Sequence, residues 1–226
     1  SYLNSVTGEF SGVVADLFQI ISETTGLRFN YTPKENYTDM LASVKDGSAE
    51  VIAGAANDYL WSAQNHLSTT SYFLRAPVAM ISANRQTTSP VLALSDGSFL
   101  SESIAGDNKD KKILYYDSVE DCFEALARGD ADITYSNTYI AEYLLSDPRY
   151  ELFSIVTMTN YSDEISIGVS SSSDPRIFSI VDKVLQYTSN DVINELVLKN
   201  SLNSHSVTWN DLLYQYPLQT MLIILF

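Results

Sequence analysis

The sequence predicts an α/β fold made of two lobes of similar construction. The first observation is an internal repeat. One pattern occurs twice, in residues 40–55 (MLASVKDGSAEVIAGA) and in residues 122–137 (CFEALARGDADITYSN). In each, an amphipathic helix ends at a glycine, and an acidic residue three positions later opens an apolar strand. The second observation is that 226 residues with 45% hydrophobic content suffice for two packed lobes. A pair of α/β lobes leaves a cleft for a small ligand, which favours a binding protein over an enzyme.

Charge and composition exclude several classes of function. The formal net charge of −15 repels phosphate backbones and anionic lipid surfaces, so we expect no nucleic-acid partner. Cys122 is the only cysteine, which excludes an intrachain disulfide and a thiolate zinc site. His66 and His205 are far apart, and the chain has no nucleophile-elbow, HExxH, P-loop or GxGxxG motif. We therefore expect no metal, no cofactor and no catalytic residue.

The first lobe begins with a helix–strand–helix–strand succession. Residues 12–26 repeat apolar side chains at helical spacing, and residues 29–32 read as a short strand. Thr38 is placed to cap a second helix, and residues 51–55 form an apolar run suited to a buried parallel strand. The apolar residues 77–83 and the polar stretch behind them predict a crossing to the second lobe near residue 85.

The second lobe repeats this succession and then returns to the first. Ser118 and Asp121 are spaced as a reciprocal helix cap. A second crossing is expected near residue 166. Two parallel crossings form a hinge. The predicted strands are 91–94, 113–116, 133–136 and 164–169, and the predicted helices begin near residues 98, 118, 138, 175 and 190.

These elements divide the chain into three parts. The first lobe is predicted to comprise residues 1–84 and 167–208, with residues 85–166 inserted as the second lobe. Residues 209–226 read as a juxtamembrane segment that starts a transmembrane helix, because the chain stops at the apolar run MLIILF. That run is shorter than the roughly 20 residues that span a bilayer. The alternative is a packed C-terminal helix or strand.

Several segments resemble family 3 extracellular solute-binding proteins. These segments are GEFSGVVADLFQIISETTGLRFNY, NYTDMLASVKDGSAEVIAGA, LSTTSYF, ALSDGSF and DSVEDCFEALARGDADITYSNTYIAEYLL, which together span most of residues 8–203. The resemblance implies the type II periplasmic-binding-protein fold, also called a Venus flytrap. In that fold each lobe is a mixed, mostly parallel sheet flanked by helices, and two hinge crossings join the lobes.

The sequence departs from this family at two ligand-binding positions. Amino-acid binders of the family carry an arginine that clamps the ligand carboxylate, and Trp61 stands at that position here. Asn137 stands where an acidic residue receives the ligand's ammonium, a variant that resembles sensor domains of histidine kinases or diguanylate cyclases. An ordinary α-amino acid is therefore not the expected ligand.

The resemblance places a ligand pocket between the lobes. Its aromatic, amide and hydroxyl groups suit a neutral or aromatic ligand. An open alternative is that Trp61 and Tyr37 fill the space that a ligand once used. The pocket residues are Tyr37, Ala55, Ala56, Asn57 and Trp61 from the first lobe, and Gly97, Ser98, Phe99, Asn137 and Tyr139 from the second.

The leading functional hypothesis is an extracytoplasmic, ligand-sensing domain of a membrane-anchored bacterial signalling protein, dimeric in the full-length receptor. In it, closure of the lobes over a small molecule is signalled to the membrane. One alternative is the solute-binding subunit of an ABC-type uptake transporter. A weaker alternative is an enzyme resembling the dehydratases that act on prearomatic acids. A further alternative is an interaction module that binds no small ligand.

Overall fold

The computed structural model describes residues 2–3, 10–85 and 87–203, with side chains described from residue 10 to residue 200. The strands are β1 (Tyr2–Leu3), β2 (Phe10–Ser11), β3 (Val51–Ala56), β4 (Leu67–Thr69), β5 (Leu74–Ser82), β6 (Leu92–Ser95), β7 (Ile113–Tyr116), β8 (Ile133–Asn137) and β9 (Ser154–Ser170). The helices are α1 (Val13–Thr25), α2 (Tyr37–Lys45), α3 (Tyr59–Gln64), α4 (Phe99–Asp107), α5 (Val119–Arg128), α6 (Thr138–Leu145), α7 (Pro175–Tyr187) and α8 (Asn190–Asn203), with a 3-10 turn at Pro148–Tyr150.

Two long strands tie the molecule together. The strands β5 and β9 are antiparallel neighbours at the centre of a seven-stranded sheet with the order β3-β9-β5-β8-β6-β7, and β4 also pairs with β9. One end of β9 binds β3 and β4, whereas the second half of β5 binds β8. Each long strand therefore belongs to both lobes.

The pairing between β5 and β9 breaks at one point. Pro77 is paired with Ser162, but its neighbour Val78 is paired with Met158, so β9 carries three extra residues there. Pro77 has no N–H to donate to the ladder, and an irregularity of this kind bends the strand that contains it. The two halves of the sheet are thus joined where both connecting strands lose their regular pairing.

Each lobe has its own core. In the first lobe, buried side chains of α1 and α7, including Leu17, Ile21 and Val181, pack against Ile167 of β9. In the second lobe, Phe123 of α5 lies at the centre of a cluster that fills the space under β5, β6 and α6. Cys122 is fully buried in the same cluster, and burial raises its pKa to about 12, so it is an inert apolar side chain.

Most predicted elements are confirmed by the structure. The internal repeat is confirmed, because α2–β3 and α5–β8 are the same helix-to-strand unit. At the start of α5, the Ser118 hydroxyl donates to the Asp121 carboxylate at 2.7 Å and accepts from the Asp121 backbone N–H at 3.0 Å. The predicted strand at residues 29–32 is wrong, since this stretch has no regular secondary structure. Phe29 is held instead by stacking on Phe18 at 4.6 Å between ring centroids.

The mixed sheet is confirmed, and its parallel pairs lie in the second lobe, where β6 binds both β7 and β8. In the described part of the first lobe all pairs are antiparallel. The physical reason is the missing strand at 29–32, which the helix-to-strand pattern had predicted as the parallel neighbour of β3.

No helix among the described residues is long and apolar enough to cross a membrane. The predicted juxtamembrane segment, residues 209–226, lies outside the described part of the chain, as does His205.

Candidate ligand-binding site between the lobes

The residues that face the cleft sit in the first turn of capped helices. Tyr37 opens α2, whose cap Asn36 accepts a hydrogen bond from Asp39 N at 2.7 Å. Phe99 opens α4, where Ser98 caps the helix by accepting from Ser101 N at 3.1 Å. Because a cap fixes where a helix starts, these short polar residues also fix where the two rings point.

Trp61 is held in the same manner, with its backbone N–H donating to the Asp58 side chain at 2.8 Å. Its indole is 2% exposed and lies 6.3 Å from the Tyr37 ring, measured between centroids. The indole Nε1 has no hydrogen-bond partner among the described residues. A buried donor without an acceptor costs about 1–3 kcal/mol, so the core beside the Tyr37 ring contains one unsatisfied group.

Aromatic packing joins the two lobes. Phe99, from the second lobe, packs against a cluster of the first lobe that contains Trp61, Ala55 and Ala56, with Tyr37 at its edge. The Tyr37 hydroxyl donates to the Gly54 carbonyl at 2.9 Å, which anchors the ring to β3. The lobes are therefore in contact in this conformation, and the predicted aromatic residues meet.

Gly97 marks a second contact between the lobes. Its φ of +75° lies in the region that favours glycine, and a Cβ built there would stand 2.9 Å from Thr38 Oγ1 and 3.7 Å from Tyr37 Cδ1. The Thr38 hydroxyl also reaches Asp96 Oδ2 at 3.5 Å. Glycine is required here by backbone conformation and by the close approach of α2.

Asn137 is already engaged within the protein. Its Oδ1 accepts from Ile140 N at 3.0 Å and caps α6, and its Nδ2 donates to Asp163 Oδ2 at 3.0 Å. Asn137 and Asp163 therefore form a hydrogen-bonded pair, and Asp163 is a residue that the sequence reasoning did not assign to the site.

Asp163 is a half-buried acid beside the aromatic contact. Burial raises the pKa of its carboxyl group, and the hydrogen bond from Asn137 opposes that shift. The pKa of Tyr37 is raised well above its usual range, mainly by burial and then by the negative charges of Asp163 and Glu102. The pKa of Glu102 is raised by burial and by Asp96. Acidic side chains whose charged forms are disfavoured by burial therefore lie beside the aromatic contact.

A signal for Asp163 was present in the sequence. Asp163 and Glu164 are adjacent on β9, and adjacent side chains of a strand point to opposite faces of the sheet. Glu164 takes the outer face and forms an exposed ion pair with Arg75 at 3.3 Å. One acid of such a pair must turn inward wherever the strand passes between two lobes.

Two cavities flank these residues. One, of about 220 Å³, lies between α4 and the irregular part of β9 and includes Phe99, Ser103 and Asp163 in its wall. The other, of about 360 Å³, lies on the first lobe between α3, β4 and α7 and includes Asn57. Only the first cavity is in contact with the aromatic residues that join the lobes.

Two predicted residues are not brought to the aromatic contact. The Asn57 side chain donates to the Thr70 carbonyl and the Ser166 hydroxyl, both at 2.9 Å, and so ties β3 to β9. Tyr139 is 39% exposed on α6. Their assignment to a ligand pocket stays a prediction. Within the described residues, no group of three or more His, Cys, Asp or Glu side chains is arranged to hold a metal ion.

Comparison with known proteins identifies the architecture. No family model matches the chain, and no curated protein matches it. The BvgS periplasmic VFT2 domain of Bordetella pertussis superposes with a TM-score of 0.73 at 17% identity, covering 86% of each chain. A histidine kinase sensor domain similar to periplasmic binding proteins gives a TM-score of 0.76 at 14% identity, covering 88% of this chain and 89% of the other.

A transporter component is equally similar. The amino acid ABC transporter substrate-binding protein AbpA of Streptococcus pneumoniae, bound to L-arginine, gives a TM-score of 0.75 at 16% identity, covering 90% of this chain and 89% of that one. The fold is that of the type II periplasmic binding proteins. The resemblance noted in the sequence is thereby confirmed at the level of the fold.

Proposed function

We propose that this chain is the extracytoplasmic, small-molecule-sensing domain of a bacterial transmembrane signalling protein. The observation that carries the proposal is the break in pairing between Pro77 and Val78, opposite three extra residues of β9. A hinge absorbs its change of backbone angles at a few such positions, and here it separates two independently packed cores. A ligand held by both lobes would favour the closed form.

Two observations favour a sensor in particular. Trp61 replaces a carboxylate-binding arginine, and the similar structures include two sensor domains. We place the output path in the helices α7 and α8, which pack on α1 and lead toward residues 209–226. Anchoring in the membrane through that segment, and dimerisation of the full-length receptor, are parts of this proposal.

We propose a pocket made of Tyr37, Ala55, Ala56, Trp61, Gly97, Ser98, Phe99 and Asn137, and we include Asp163 because Asn137 donates a hydrogen bond to it. Asn57 and Tyr139 remain proposed as residues at its edge. We propose that the hinge lies at the pairing break between β5 and β9. The lobe boundaries stay proposed at residues 84/85 and 166/167, and the hinge residues lie on the N-terminal side of each boundary.

A distance measurement across the cleft tests this function. Because Cys122 is buried, fluorophores would react only with introduced thiols at exposed sites, for which Ser48→Cys and Asp110→Cys provide one position on each lobe. When the compounds of a metabolite library are added one at a time, the ligand should raise the energy transfer between the two fluorophores. A control pair within one lobe, Ser48→Cys with Gln64→Cys, should not respond to that same compound. If no compound changes the distance while compounds still bind, closure is not the signal.

The solute-binding subunit of an uptake transporter is the second candidate, favoured by the similarity to AbpA. Both functions predict closure, so the part of the full-length protein beyond residue 226 separates them. A spanning segment leading to a signalling domain supports the sensor, and a stop codon near that position supports the transporter.

A further inference from the structure

The wall of the cavity between α4 and β9 contains an acidic side chain and no basic one. It encloses about 220 Å³, and Phe99, Ser103, Tyr161, Ser162 and Asp163 contribute to its lining, which includes no lysine or arginine. All 13 lysine and arginine residues of the chain lie in the part that the structure describes, and none of them forms an ion pair with Asp163.

The groups around Asp163 leave its charge uncompensated. From β8, Asn137 donates one hydrogen bond to the Asp163 carboxylate. Tyr37 of α2 and Glu102 of α4 carry no positive charge, and the Tyr37 hydroxyl donates its proton to the Gly54 carbonyl. From β5, Arg75 pairs with Glu164 at 3.3 Å and also donates to the hydroxyl of Ser162 in the cavity wall at 3.4 Å, but it forms no ion pair with Asp163. An ionised carboxylate accepts about four hydrogen bonds, and this one has a single protein donor in the described residues.

A metal ion does not fit this environment, because a hard cation requires several oxygen ligands and the described residues contain no group of three acids or histidines arranged for one. An organic cation fits better. The rings of Phe99 and Tyr161 offer apolar faces that also attract a cation, and the hydroxyls of Ser103 and Ser162 are acceptors.

We propose that this cavity binds a small primary amine with an apolar body, and that Asp163 is the counter-ion of its ammonium group. This inference rests on the proposed function and names the ligand class of the same site. It differs from amino-acid binding, because the cavity pairs the ammonium with Asp163 but has no cation for a carboxylate.

Isothermal titration with phenethylamine and its neutral isostere 2-phenylethanol tests the proposal. Both probes have nearly the same shape, so the difference between them reports the charge. Wild-type protein should bind phenethylamine, and Asp163→Asn should weaken that binding by at least about tenfold, because the charge-assisted hydrogen bond is lost. Glu164→Gln removes one negative charge from the adjacent, outward position and should bind phenethylamine as the wild type does.

Three results overturn the proposal. They are equal binding of 2-phenylethanol and phenethylamine, unchanged amine binding by Asp163→Asn, and no binding of phenethylamine, tyramine, putrescine or agmatine. Circular dichroism of Asp163→Asn confirms that the variant is folded. A neutral or anionic compound that closes the lobes in the energy-transfer measurement would leave the proposed function intact and overturn only the ligand class.

Discussion

At the scale of single residues, Asp163 and Glu164 show how the two faces of one strand differ. Glu164 is paired with Arg75 near solvent, where an ion pair contributes about 0–1 kcal/mol. Asp163 is half-buried with one side-chain hydrogen bond and no ion pair, and the partial burial raises its pKa, so its charge opposes folding. A residue that opposes folding and faces a cavity is a good candidate for a functional group.

Asp163→Asn should therefore stabilise the protein at neutral pH. Burial raises the pKa of Asp163 above its ordinary value of 3.8, so the folded chain binds more protons than the unfolded chain between these two values. The cost of the charge is fully present above the raised pKa and fades as the pH falls toward 3.8. In thermal melts, each kcal/mol recovered should raise the melting temperature by roughly 2–4 °C.

The same melts at lower pH provide the check on the cause. The gain from Asp163→Asn should be constant from pH 7 down to the raised pKa of Asp163 and should shrink below it, as the pH falls toward 3.8. Glu164→Gln should show no stabilisation at pH 7. A gain that is independent of pH would mean that the carboxyl charge is not responsible.

Gly97 supports a second prediction at this scale. Gly97→Val adds a side chain that meets both Thr38 and Tyr37, and Gly26→Val adds the same side chain at a φ of +78° where nothing lies within 4 Å. Both variants carry the strain of a left-handed residue, about 1–2 kcal/mol. Only Gly97→Val adds overpacking, so urea unfolding should show a further loss of about 1–3 kcal/mol relative to Gly26→Val. Equal losses would show that the lobes do not approach each other at this turn in solution.

At the scale of elements, most helices begin at a short polar side chain. Ser118→Ala should cost about 1 kcal/mol of unfolding free energy, because the hydroxyl both accepts from Asp121 N and donates to the Asp121 carboxylate. Ser179→Ala, at an exposed position inside α7, should change stability by less than about 0.5 kcal/mol in the same urea titration. If the two variants lose the same amount, the reciprocal cap does not contribute.

These caps explain which parts of the fold were predictable from sequence. The start of α5 and the stops at Gly26 and Gly129 depend on neighbouring residues only, and all three were correct. The length of β9 was not predictable, because residues 154–158 are held by pairing with β5, which is far away in sequence. The residues of the candidate site divide in the same way. The sequence positions of Tyr37, Trp61 and Phe99 were enough to select them, whereas selecting Asp163 requires knowing which face of β9 turns inward.

At the scale of the whole molecule, the contact between the lobes is small compared with the cores inside them. It consists mainly of the Phe99 ring against the Trp61 cluster and of Gly97 against α2, while each lobe buries its own set of apolar side chains. Two rigid bodies joined by a hinge and a small contact exchange between open and closed forms, and any change at that contact alters their ratio.

Phe99→Ser should accordingly open the molecule without unfolding it. Removing the ring forfeits about 2 kcal/mol of apolar contact between the lobes, which multiplies the ratio of open to closed molecules by about 30. Small-angle X-ray scattering should show a larger radius of gyration for Phe99→Ser. Tyr143→Ser, which removes a 52% exposed ring of the same lobe that belongs to neither the contact nor the proposed pocket, should match the wild type. An unchanged radius of gyration for Phe99→Ser would mean that the backbone of β5 and β9, and not this ring, holds the lobes together.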